Sequence, residues 1–171
     1  MDGPLRLLAE RAASPLGDFV IVTDALGRVR AADWISHQAR MMGLLARQFR
    51  ASAFEISDGP ASVASRCLAA YFAGDLTAID GLSVEAAGTA FQSAVWRVLR
   101  DIPAGQTITY RELARRAGRP NAIRAAGAAN GANPISIIVP CHRVIGTDGT
   151  LTGYGGGVER KRWLLGHEFC P

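Results

Sequence analysis

Along the first half of the chain the apolar residues change their spacing from strand-like to helical. Phe19-Val-Ile-Val-Thr23 and Val29 to Trp34 are β-type runs on either side of Asp24-Ala-Leu-Gly27, which predicts a hairpin with a turn glycine. Met41, Leu44, Leu45 and Phe49 place one apolar stripe on a helix over 40–49. Residues 62–72 predict a second helix, stopped by Gly74. Residues 75–88 have little periodicity and read as a linker, which makes 1–88 a small α+β unit.

The second half is punctuated more sharply. Thr89-Ala-Phe-Gln92 fits a capping box, and Phe91, Val95, Leu99 and Ile102 give one helix face that Pro103 stops. Thr109-Tyr-Arg-Glu112 is a second capping box, with Gly118 as the stop of its helix. Asn121 is placed to cap a third helix, Ala122 to about Asn130, so that two short helices flank Gly-Arg-Pro-Asn as in a helix-turn-helix. Ile135 to Val139 reads as a buried strand that delivers Pro140-Cys-His-Arg143. Thr147-Asp-Gly149 is a turn, Gly153 to Gly157 a flexible loop, and Val158 to His167 a last helix.

Ala122, Ala125, Ala126, Gly127, Ala128 and Ala129 leave the third helix almost without bulk, with Arg124 as its one long projection. Tight packing against a neighbour would ask for the same residues. So would approach to a narrow DNA groove with one side chain inserted.

Charge sharpens that choice. Residues 1–88 hold 8 basic and 10 acidic side chains, a net of −2, whereas 89–171 hold 11 basic and 5 acidic, a net of +6. The surplus in the second half suits an anionic partner, most simply nucleic acid. Arg97, Arg100, Arg111, Arg115, Arg116 and Arg119 are its candidate phosphate contacts. No apolar run approaches the roughly 18 residues of a membrane span, and Met1 to Glu10 does not read as a signal peptide, so a cytoplasmic protein is expected. The three cysteines are widely spaced and odd in number, which argues for reduced thiols over a disulfide framework. His37, His167, Cys67 and Cys170 show no paired zinc-ligand spacing, so no metal is expected.

Cys141 precedes His142, and a histidine can help generate the reactive thiolate. Neighbours on a regular strand point opposite ways, so their contact needs a bend, which Pro140 could supply. Glu168 is the natural third member, orienting the imidazole. Taken alone, a Cys-His dipeptide is more often structural than catalytic.

Pro140-Cys-His-Arg-Val144 resembles the active-site signature of the O6-alkylguanine-DNA alkyltransferases. Phe91-Gln with Val95-Trp96, Gly118-Arg-Pro120, Arg124-Ala, Asn133-Pro134, Gly153-Tyr with Gly156-Gly157, and Lys161 with Leu164-Leu165 and His167-Glu168 follow that family's pattern in order and spacing. Ser14-Pro-Leu-Gly17 and Ala70 to Asp75 resemble the N-terminal domain of its bacterial Ogt type. The resemblance implies an α+β fold: a small ribonuclease H-like domain over 1–88, then a mostly helical DNA-binding and catalytic domain over 89–171. It implies DNA repair by direct reversal, in which an alkyl group moves once, irreversibly, from guanine O6 in duplex DNA to Cys141, with O4-alkylthymine left open as a substrate.

The resemblance also assigns roles. His142, through a water, deprotonates Cys141, and Glu168 orients His142. Asn133 braces the turn. Tyr110 serves guanine N3. Arg124 fills the gap left by the flipped nucleotide, with Tyr110, Ala122, Ala125, Gly127 and Thr147 along the minor-groove contact. Val144, Tyr154 and Gly155 wall the base pocket. No cofactor, no membrane and a monomer are expected, with cooperative binding along DNA open. Asn121, Ile123 and Gly155 depart from the family's usual residues. Two other readings stay open: a non-catalytic alkylguanine-binding module that recruits repair factors, which Cys141 argues against, and a Cys-His-Glu hydrolase.

Overall fold

The computed structural model describes residues 5–49 and 54–169. They fall into two compact units, 1–87 and 88–171. Cys170 lies outside the described residues.

In the first unit, strands β1 (Leu5–Ala12), β2 (Phe19–Asp24), β3 (Val29–Trp34) and β4 (Phe54–Asp58) form one sheet in the order β3-β2-β1-β4. The predicted hairpin is β2–β3, antiparallel from Phe19↔Trp34 to Thr23↔Val29. Asp24 Oδ1 accepts from the amides of Leu26 and Arg28, and Gly27 takes φ 74°, the left-handed conformation the turn needs. β1 runs antiparallel to β2 and parallel to β4. Helix α1 (Gln38–Phe49) contributes Met41 and Leu45 to a core with Leu7, Val20, Val22 and Ala31. Helix α2 (Val63–Phe72) starts at Ser62, whose side chain accepts from the Ser65 amide.

Residues 75–87 are not a free linker. Val84 pairs with Val29 in a parallel bridge, the Glu85 amide donates to the Val29 carbonyl at 2.9 Å, and Ile79 is buried. The segment lacks periodicity because it is a run of turns beside the β3 edge rather than a regular element.

The second unit is built from α3 (Ala90–Arg100), β5 (Ile108–Thr109), α4 (Tyr110–Arg116), α5 (Ile123–Gly131), β6 (Val144–Ile145) and α6 (Val158–Phe169), with β5 and β6 paired in parallel. Both arms of the Thr89–Gln92 capping box are present, and α3 buries Val95, Trp96 and Leu99. The second box is half formed. Thr109 accepts from the Glu112 amide, but the Glu112 carboxylate turns away to Arg115 and Arg116. Asn121 does not cap α5; Ala122 holds that position with no side-chain bond.

The largest departure is at 135–139. These residues are buried as expected but do not form a strand. The Ile138 amide bonds the Ser136 carbonyl at 2.8 Å around Ile137, which sits at φ 69°. A β-branched residue in the left-handed region is strained by roughly 1–3 kcal/mol. The surroundings hold it there. Asn133 Nδ2 donates to the carbonyls of Ile135 (3.3 Å) and Val139 (2.8 Å), its Oδ1 accepts from the Ile135 amide, and Arg100 Nη1 donates to the Ile138 carbonyl. The apolar run records burial; the Asn-Pro before it and the side-chain clamps decide the backbone.

Candidate active site

The strained turn feeds directly into Cys141. Pro140, at φ −82° and ψ 65°, lets the Cys141 amide bond back to the Val139 carbonyl at 2.8 Å. Cys141–Arg143 then forms one turn of 3-10 helix before β6 begins. The bend that a Cys-His pairing needs is therefore present, as a tight turn rather than a strand end. Cys141 is 5 % exposed, and Asn130, on the last turn of α5, donates to its carbonyl at 3.3 Å. The Cys141 turn is thus tied to the helix that carries Arg124.

Glu168, near the end of α6, meets His142 and Arg143 in the interior. His142 Nε2 lies 2.7 Å from Glu168 Oε1. Arg143 donates from Nη2 to Oε1 (2.8 Å) and from Nε to Oε2 (3.0 Å), and from Nη1 to the Ile102 carbonyl (2.6 Å). Burial alone would raise the Glu168 carboxyl, but the hydrogen bonds of His142 and Arg143 and the Arg143 charge hold it well below the usual carboxylate range. An ionised carboxylate only accepts, so Nε2 carries the imidazole proton. Nδ1 keeps its lone pair and has no hydrogen-bond partner among the described residues. Burial pushes His142 below its ordinary value, against the pull of Glu168, so the ring is a neutral base near pH 7.

Three residues outside the expected set join this site: Arg143, Asn130 and Lys161. Lys161 is fully buried and donates to the carbonyls of Val144 (2.5 Å) and Thr152 (3.2 Å). Its ammonium lies 5.9 Å from the centre of the Tyr110 ring. The Tyr110 hydroxyl donates to the same Thr152 carbonyl at 2.9 Å. Burial lowers Lys161 and raises Tyr110; a negative charge on Cys141 would raise both, so all three share one field. A basic residue mid-helix reads as solvated from sequence. The signal available was its place among apolar Trp163, Leu164 and Leu165.

Two of the expected pocket residues, Val144 and Tyr154, meet this cluster. Val144 is fully buried and its carbonyl is already taken by Lys161. The Tyr154 ring stands edge-on to His142 at 6.4 Å, followed by half-buried Gly155. On α5, Arg124 and Ala125 are exposed and a Cβ at Gly127 would lie 3.7 Å from the Tyr110 ring; Ala122, the cap before it, is half-buried. Thr147 is exposed on the turn after β6. Among the expected phosphate contacts, Arg97 and Arg111 are exposed, while Arg115 and Arg116 hold Glu112 down to about 2, Arg100 bonds Ile138, and Arg119 lies over Phe91. No group of three or more metal-ligating side chains occurs among the described residues. No described helix is long and apolar enough to cross a membrane.

Residues 90–170 match the family profile of the 6-O-methylguanine DNA methyltransferase DNA-binding domain. A methylated-DNA–protein-cysteine methyltransferase of Salmonella typhimurium is 53% identical over 166 residues, covering 96% of each chain. A Mycobacterium tuberculosis OGT solved in complex with DNA superposes at TM-score 0.78 with 39% identity, over 96% of this chain and 93% of that one. An O6-methylguanine-DNA methyltransferase from Pyrococcus kodakaraensis, 24% identical with TM-score 0.66 over 95% and 98% of the two chains, shares the fold. Identity above one half, running through both units, shows that this chain belongs to the methylated-DNA–protein-cysteine methyltransferase family.

Proposed function

We propose that this chain repairs alkylated DNA by taking the alkyl group of O6-alkylguanine onto Cys141, once per molecule. The observation that carries the reading is the buried His142, its Nε2 proton fixed on an ionised Glu168 and its Nδ1 lone pair free to accept, one residue from the only cysteine on the turn. His142, through a water, takes the thiol proton and the sulfur attacks the alkyl carbon. The C–O bond breaks, its electron pair stays on the guanine, and a proton or hydrogen bond from Tyr110 at N3 stabilises the leaving base. Burial keeps the Tyr110 phenol protonated, as a donor must be. The buried Lys161 ammonium favours the thiolate over the thiol. The product is a thioether, which water does not reverse, so the acceptor is consumed.

A duplex hides guanine O6, so the nucleotide must leave the stack at a cost of roughly a few kcal/mol. In this reading α5 enters the minor groove on its small residues, and Arg124 occupies the vacated space. The protein acts as a monomer in the reducing cytoplasm, where Cys141 stays a thiol. Labelled methyl from a methylated duplex should pass to the wild-type chain. Cys141→Ser should bind the duplex and accept none; label on that variant would overturn the assignment.

A further inference from the structure

Helix α5 presents Arg124, Ala125 and Ala128 to solvent and buries Ala126, Ala129 and Asn130. Ile123 breaks this pattern. It is the bulky apolar residue on a helix otherwise made of Ala, Gly and Asn around Arg124, and it remains 36 % exposed. A β-branched residue here gives up helix propensity relative to alanine without gaining full burial.

Its direction is set by helix geometry. Residues four apart share a row, so Ile123 stands one turn before Gly127 on the same flank. The Gly127 position faces the Tyr110 ring, at 3.7 Å from a Cβ built there, and Tyr110 feels the charge of Cys141. Ile123 therefore occupies the border between the exposed face around Arg124 and the flank that leads to the acceptor.

We propose that Ile123 is a second, apolar part of the DNA wedge, packing on the sugar and neighbouring base step of the extruded nucleotide while Arg124 fills the vacated stack. Branched aliphatic side chains serve this role elsewhere, because the face of an unstacked base is apolar. This inference rests on the minor-groove reading above and adds a residue that sets how strongly the enzyme distinguishes duplex from single strand.

The test is single-turnover methyl transfer from an O6-methylguanine oligonucleotide, duplex and single-stranded, by wild type, Ile123→Ala and Ile123→Leu. Ile123 is partly exposed and Ala is a better helix former, so the alanine variant keeps its fold. Covering the exposed third of an isoleucine predicts about a three- to fivefold loss for Ile123→Ala on duplex. On the single strand its rate should stay within about twofold of wild type, and Ile123→Leu should retain most duplex activity. Ile123→Ala equal to wild type on duplex, or losing equally on both substrates, overturns the wedge. Wild type transferring methyl from neither substrate would instead overturn the function on which the inference rests.

Discussion

Replacing Glu168 by glutamine tests the interior of the site. Glu168 is 5 % exposed and compensates two basic groups, accepting from Arg143 on both oxygens and from His142 on one. The amide would keep the shape but lose the charge, leaving the Arg143 guanidinium, 2 % exposed, without a counter-ion. Breaking a buried pair by removing one partner costs about 3–5 kcal/mol. For a chain of 171 residues each kcal/mol moves the midpoint by about 2–4 °C, so Glu168→Gln should melt at least about 6 °C lower at pH 7. Differential scanning calorimetry measures it. The penalty is also pH-dependent. The Glu168 carboxyl is depressed from its ordinary 4.5, so its contribution is present above that pH and is lost as pH falls through the folded value. Wild type and variant should therefore converge in acid. A midpoint change under about 4 °C, or one that persists unchanged to pH 2, would refute the buried charge network.

Three further outcomes follow from the same geometry. His142 is depressed below 6.5 in the fold, so the unfolded chain takes up its proton first as pH falls; wild-type stability should drop below pH 6.5, and His142→Asn should flatten that limb in denaturant titrations. Arg124→Ala should slow repair of a duplex more than of a single strand, measured side by side, since only the duplex needs its vacancy filled. Lys161→Met should raise the pH at which Cys141 reacts with a small alkylating agent, because the thiolate loses a buried cation whose field it shares; an unmoved pH profile would remove Lys161 from the chemistry.

Much of this was readable before the structure because the signals are local. The hairpin follows from alternation around Asp24–Gly27, and the first capping box from Thr89 and Gln92. Where a residue had competing partners, local reading failed. Glu112 prefers the two arginines one turn on to its own helix start, and Asn121 does not reach an amide. Strand β1 was hidden because its polar and apolar residues alternate irregularly, and its place is set by pairing with β2 and β4. The 135–139 run misled because an apolar segment reports burial and not φ. At the site, Cys141, His142 and Glu168 were legible from motif. Arg143 and Lys161 stood in the same motifs, but their roles and that of Asn130 were not legible, because their partners are carbonyls or a carboxylate distant in the chain.

The central claim is that Cys141 is a single-use acceptor, and intact-mass spectrometry after incubation with excess O6-methylguanine duplex tests it most directly. The account predicts a mass increase of one methyl group, never more, located on the peptide containing Cys141. Demethylated duplex in excess over protein, or a methyl on any other residue, would contradict it.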